Sequence, residues 1–300
     1  MAEQAGKLHN VLCEVPAIGY FGGFINMNIW QAFIGVIETA LTTFADLIGG
    51  MGIPYAWGFA IILFTLVIKL LTMPLTLQQL RASKAMQALQ PEIQKLQKKH
   101  KGDREKMSQA QMELYKEAGV NPLGGCLPML VQLPIWFALY RALFGLANEG
   151  LLNEGFFWVP SLAGPVNEFQ GLSWLWPLPP AVGWAAAVAF LVLPILTVVT
   201  QIIVQKMTPT PSADPQQASM SQMMLLMPFM FGFFALQVPQ GLVLYWVTSN
   251  IFSLIQQYFI TGWGGLRPAP TTAEVPVAPA SKNPPDAKGT KKDGKRKRKR

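Results

Sequence analysis

Apolar residues along this chain fall into long blocks separated by polar, proline-bearing connections. Crossing the ~30 Å hydrocarbon layer of a bilayer takes about 20 mostly apolar residues in a helix. Five windows meet that requirement, at about 55–73, 128–146, 184–204, 220–236 and 242–260. Pro134, Pro194 and Pro228 lie inside the second, third and fourth. Membrane helices tolerate such prolines when neighbours satisfy the freed carbonyls, so kinks are expected there rather than ends. Upstream, Trp30, Phe33, Ile34, Ile37, Leu41, Phe44 and Ile48 recur at helical spacing, with Gln31, Glu38, Thr42 and Asp46 on other faces. This predicts an amphipathic helix lying in the membrane interface, within an N-terminal segment 1–54. The alternative is a sixth span, which would place Glu38 and Asp46 in hydrocarbon at substantial cost.

The connection after the first window is polar but keeps helix formers. Leu77 to Gln90 reads as one helical segment, Pro91 can open a second from its first position, and Lys101-Gly102-Asp103 is a turn signal. Arg104 to Ala118 then returns until Gly119 and Asn121-Pro122 stop it. The expected architecture is all-α. A five-helix membrane core over 55–262 carries a helical hairpin at 76–120, and a disordered basic tail follows at 263–300.

Composition agrees with lipid as the solvent: 51% of the residues are hydrophobic and 13% charged, against roughly 25% charged in soluble domains. The charges are also sorted. Nine Lys or Arg fall between Thr76 and Gly125 and eleven follow Gly262, whereas 148–182 has none and carries Glu149, Glu154 and Glu168. With five spans, both basic segments share one side, which the positive-inside rule makes the cytoplasm or its organellar equivalent. The N-terminal segment and the acidic loop face the other side. In the tail, a proline-rich stretch precedes Lys291, Lys292, Lys295, Arg296, Lys297 and Arg298. Such a run attracts anionic lipid at about 1 kcal/mol per basic residue, and it could equally recruit a targeting factor or ribosome. Neither a secretory signal nor an organelle transit peptide is legible at the N-terminus, leaving the first span as the targeting signal or the chain as a mature form.

Lys69 sits inside the first apolar window. One reading is that it snorkels, since the end of the helix is about one turn away. The other takes its companions into account: Gln132 on the second span, Gln201 and Gln205 late in the third, Ser221 and Gln222 early in the fourth, and Ser249, Asn250, Ser253, Gln256 and Gln257 on the fifth. By the orientation above they share the interior half of the bilayer, and none of the five windows holds Asp or Glu. A hydrophilic groove open to the interior would solvate the cation without an ion pair. Amides at that depth can also simply tie helices together.

Catalytic constellations are missing. No Gly-x-x-x-x-Gly-Lys-Ser/Thr phosphate loop or Gly-x-Ser-x-Gly elbow occurs, His9 and His100 lie outside the spans, and Cys13 and Cys126 are too few for a disulfide framework or zinc site. A channel or transporter remains open as a class, as does a passive assembly scaffold. No inverted repeat of the transporter kind is visible.

Several segments nevertheless resemble one family. Asn121-Pro122-Leu123-Gly124-Gly125-Cys126, continuing to Trp136, is similar to the signature of the YidC/Oxa/Alb membrane insertases. So are Trp57-Gly58-Phe59, Pro74-Leu75-Thr76, Gln205 to Pro209, and Gly241 to Trp246. The stretch from Asn148 to Pro165 resembles the plastid Albino branch in particular. The resemblance implies a five-helix bundle around a hydrophilic groove, with Lys69 where bacterial members place an arginine. It also implies a substrate slide on the second and fifth spans, with Leu133, Trp136, Phe137, Tyr140, Leu244, Trp246 and Ile251 as its candidates. No cofactor is implied. Expected partners are membrane-protein clients, signal-recognition-particle components or a ribosome at the tail, and a Sec-type translocon. The expected location is the thylakoid membrane with the C-terminus in the stroma, or alternatively a bacterial inner membrane.

Overall fold

The computed structural model describes residues 27–100, 102–120, 127–166, 168–169, 171–176, 178–207 and 215–263. The motif Asn121–Cys126 and the basic tail, including Lys291, Lys292, Lys295, Arg296, Lys297 and Arg298, lie outside them, as do the side chains of Ser221 and Gln222. Nine α-helices make up the described fold: α1 (Met27–Gly50), α2 (Ala56–Leu71), α3 (Met73–Ala88), α4 (Gln90–Lys99), α5 (Arg104–Glu117), α6 (Leu127–Asn148), α7 (Trp184–Met207), α8 (Pro215–Ala235) and α9 (Gln240–Thr261). The only β pairing among the described residues is an isolated bridge between Phe156 and Val159.

By length and composition, Ile29–Gly50 and Trp184–Met207 are apolar enough to cross a membrane, and a third crossing follows if α2 and α3 count as one bent span. Helices α6 and α9 have 22 residues each, about 33 Å at 1.5 Å per residue. The bend between α2 and α3 is 61°. Pro74 causes it, because a proline has no N–H to give to the carbonyl of Leu70. Hydroxyls satisfy carbonyls around the break: Thr72 donates to the Ile68 carbonyl at 2.8 Å and Thr76 to that of Thr72 at 3.1 Å. Helices α6, α7 and α8 continue through Pro134, Pro194 and Pro228.

Helix α9 is the axis of the bundle, packing on α2 and α7 most extensively and also on α3 and α6. Every residue from Val238 to Val247 is buried. The main core joins Leu41 of α1, Ile61 of α2, Leu139 and Leu143 of α6, Leu193 of α7 and Leu242 of α9. In lipid such contacts stabilise through close packing rather than transfer from water. The apolar stripe expected on α1 exists, but Ile34, Ile37, Leu41, Ala45 and Ile48 turn it onto α2 and α6, leaving Ile29, Val36 and Leu47 exposed.

The acidic loop between α6 and α7 is folded into the same core. Leu152, Phe156, Val159, Leu162, Ala163 and Trp174 are buried with the helices. Main-chain hydrogen bonds tie the loop together, Ala163 N–H to the Leu152 carbonyl (2.8 Å) and Leu162 N–H to that of Glu154 (3.0 Å). Others tie it to α9, with Gly241 N–H donating to the Leu162 carbonyl at 2.9 Å. The Trp174 indole donates to the Leu236 carbonyl at 3.2 Å. Phe156 lies directly over Gly58, where any side chain would collide with its ring. Helices α4 and α5 pack on each other separately, through Ile93, Met107 and Tyr115. Asp103 caps α5 by accepting the Lys106 N–H at 3.1 Å.

Candidate functional site

Lys69 lies in the last turn of α2. Its ammonium reaches across to α9 and donates to the Ser253 hydroxyl at 3.1 Å, and that hydroxyl in turn donates to the Ser249 carbonyl at 2.9 Å. The side chain is thus turned onto the neighbouring helix rather than out along its own. Two further polar pairs converge on α9. Gln132 of α6 donates to the Tyr245 hydroxyl at 2.8 Å, and Asn250 donates to Thr200 of α7 at 3.1 Å. One residue type or another on α9 therefore meets a polar partner from each of α2, α6 and α7.

The depth of these pairs follows from helix register. Ile61 reaches toward Gly241, and Lys69 bonds Ser253, so α2 and α9 run parallel. One turn past Ser253, Gln256 and Gln257 are buried at the level where α2 gives way to α3, which packs on α9. Both polar atoms of the Gln256 amide are buried without a protein hydrogen-bond partner, an arrangement that leaves the desolvation of that amide uncompensated. Gln201 and Gln205 are half-buried on the last turns of α7.

The slide candidates separate into two groups. Leu133 and Ile251 are exposed, at 37% and 47%, and Trp136, Phe137 and Tyr140 are half-buried. Leu244 and Trp246 instead belong to the closed interior, because the first half of α9 is surrounded by helices and has no outward side. Trp246 stacks on Trp136 with ring centroids 6.2 Å apart and planes at 10°, with Phe231 and Phe234 of α8 beside it. Both side chains are thus placed in the core rather than on an exposed face.

Tyr245, Thr200 and Gln240 were not singled out by the sequence. Gln240 is fully buried and donates to the Phe190 carbonyl at 3.2 Å. A buried tyrosine ordinarily finds a partner for its hydroxyl, which is the signal that would have marked Tyr245. Arg141, embedded in the second apolar window, also went unremarked. It stands in electrostatic reach of Glu38 of α1, whose carboxylate lies near Gly145 of α6. Among the described residues no group of three or more His, Cys, Asp or Glu could hold a metal ion.

An all-α helical bundle with a polar seam buried among apolar helices defines an integral membrane protein. Residues 49–264 match the model of the 60Kd inner membrane protein family. Inner membrane protein ALBINO3, chloroplastic, of Arabidopsis thaliana is 44% identical over 80% of this chain and 54% of that protein. Membrane protein insertase YidC of Syntrophobacter fumaroxidans is 44% identical over 68% of this chain and 34% of that protein. A crystal structure of an active YidC insertase, with its first transmembrane domain resolved, superposes with a TM-score of 0.54 at 28% identity, covering 86% of this chain and 51% of that one. The chain belongs to the YidC/Oxa1/Alb3 membrane insertase family. It spans about half the length of the plastid relatives it matches and about a third of the bacterial one.

Proposed function

We propose that this chain inserts and assembles integral membrane proteins, acting as a chaperone without a chemical step or cofactor. The observation that carries the reading is the Lys69–Ser253 contact at 3.1 Å, a cation held inside the bundle by a neutral hydroxyl. A cation so placed can exchange a weak neutral partner for an acidic or polar segment of a client. The surrounding amides and hydroxyls lower the desolvation cost of bringing that segment part-way across the bilayer. The client's apolar segment would then leave along the exposed side of α6 and α9, past Leu133 and Ile251, and its own apolar surface drives partition into lipid.

In this reading α2, α6, α7, α8 and α9 are the five spans, and the α4–α5 hairpin and basic tail face the interior. Helix α1 has the length of a sixth span, yet its contacts favour an interfacial position. Gly49 lies beside Ala56 at the start of α2, and Glu38 lies beside Gly145 in the last turn of α6. Those positions are eleven residues apart on α1, about 16 Å, and both meet helix ends that the charge rule puts on the outer side. Glu38 and Asp46 then avoid the hydrocarbon centre.

The plastid relatives align over more of this chain than the bacterial relative does, 80% against 68%, and the loop after α6 has the Albino-like sequence. This favours the thylakoid membrane, light-harvesting-type clients, and recruitment of signal-recognition-particle components by the tail, alongside a Sec-type translocon. Site-specific photocrosslinking during import or translation tests the insertase reading. Probes at Leu133 and Ile251 should capture a client in transit, and probes at Val188 and Phe229, on exposed faces of α7 and α8, should not. Equal capture from all four positions contradicts a directed path. Deleting 282–300 should weaken carrier recruitment while leaving the bundle folded; unchanged carrier binding at physiological salt contradicts the recruiting role.

A further inference from the structure

Tyr55 and Phe157 are the two non-glycine residues with positive φ among the described residues, at 63° and 51°. This left-handed region crowds a side chain's Cβ and is sparsely used by bulky residues. The same two residues stack on each other, with ring centroids 5.3 Å apart and planes at 28°. Phe157 also packs edge-on against Phe59 and Phe156 and lies beside Trp158. The support beneath is rigid. Phe156 is pressed onto Gly58, and the Glu154 carboxylate accepts the Trp57 N–H in the first turn of α2 at 3.4 Å.

Of the two strained residues, Phe157 turns its ring outward, and large apolar neighbours are exposed beside it. Phe157 is 59% exposed and Trp158 49%, and Met51 and Ile53, just before Tyr55, are 61% and 40% exposed. Glycine at position 157 would relieve the backbone, so water is a poor match for a ring held there at such a cost. The loop from 148 to 182 has no Lys or Arg, which disfavours an acidic or nucleic-acid partner. The ridge stands at the start of α2, where a membrane protein passes from hydrocarbon to headgroups, and tryptophan rings concentrate in that layer.

We propose that Phe157 and Trp158, with Met51 and Ile53, form an aromatic anchor seated in the headgroup–acyl boundary of the bilayer, so that the α6–α7 loop grips lipid while its other face closes the bundle. The lipid contact rests on α2 being a span as proposed above, and the leaflet, the outer one, rests in addition on the proposed orientation.

The test uses the full chain reconstituted into phosphatidylcholine vesicles, with Cys13→Ser and Cys126→Ser as background. An environment-sensitive fluorophore is attached at Trp158→Cys, at Ile53→Cys as a second site should the first perturb folding, and at Glu168→Cys as an exposed control on the same loop. Emission from positions 158 and 53 should be lost when lipids carry a nitroxide near the headgroup, and should resist aqueous iodide. Position 168 should behave oppositely. Iodide quenching at 158 and 53 equal to that at 168 would overturn the anchor. Resistance to both quenchers would overturn it too, by showing that protein, a second copy included, covers the ridge. Iodide added on one side only reports through position 168 which leaflet the loop faces. Failure of the orientation is thereby separated from failure of the anchor.

Discussion

Where α2 and α9 begin, the bundle is closed by the α6–α7 loop. Leu152, Leu162 and Trp174 are fully buried, Phe156 sits on Gly58, and main-chain bonds stitch the loop to α9. Farther along the same helices the side chains pair through polar groups, Gln132 with Tyr245, Asn250 with Thr200 and, toward the ends, Lys69 with Ser253, while the Gln256 amide has no partner. Apolar side chains interlocked in this way must be pulled apart together, whereas a hydrogen bond between two side chains can be traded for an equivalent one with a client or water. The loop-covered end is thus packed shut, and in the function proposed above the polar seam exchanges partners.

Truncation at the dry end should have the largest effect on stability. Trp174→Ala removes a fully buried ring and its bond to the Leu236 carbonyl, and should cost about 3–5 kcal/mol, the range of buried aromatic truncations. Gly58→Val should be comparably harmful because Phe156 would be displaced. Thermal unfolding in mixed micelles measures both, and a stability unchanged by Trp174→Ala would break the contrast. Along the polar seam, Tyr245→Phe removes only the partner of Gln132. Interhelical hydrogen bonds in membranes average about 0.6 kcal/mol and reach about 1.7, so a double-mutant cycle with Gln132→Leu should return a coupling of that order. A coupling as large as the Trp174 effect would mean that the polar seam is locked too.

The smallest effect lies outside the bundle. The Lys106 side chain and N–H hold the Asp103 carboxyl below the usual carboxylate range. A lowered folded pKa means that the cap stabilises α5 above the ordinary aspartate pKa of about 3.9 and is lost as pH falls through the folded value. Protection of the amides of Glu105 to Met107 against hydrogen exchange, relative to the intrinsic rate at each pH, should fall over that acidic interval and nowhere above it. Asp103→Asn should flatten the dependence. The Ile93–Met107–Tyr115 contact is small, so the whole α4–α5 pair should exchange faster than α9.

Apolar windows made most of the helices legible, because a span must satisfy its own backbone and so imposes length and composition together. The same averaging hid Arg141, a single charge within a window whose mean stays apolar. It also hid Tyr245, which a hydropathy reading counts with Leu244 and Trp246. The α6–α7 loop was legible as acidic, free of Lys and Arg, and Albino-like in sequence. Its fold rests on tertiary contacts to Gly58 and Gly241, which no local period announces. Spacing and orientation led to the expectation that Lys69 and its companions share one level. Their pairing could not be read from either, since which side chain meets which depends on the rotation of each helix about its axis. For the same reason Leu244 and Trp246 were expected on a client-facing surface: the central position of α9 is a property of the bundle.

The exchange of partners proposed for Lys69 is tested most directly by insertion into reconstituted vesicles, using clients that differ only in acidic residues of the translocated segment. With folded protein quantified alongside, Lys69→Arg should retain insertion and Lys69→Glu should impair it most for the acidic clients. Lys69→Ala should fall between, losing about 1 kcal/mol of attraction or roughly fivefold. Equal insertion of every client by Lys69 and its Glu variant would contradict the account.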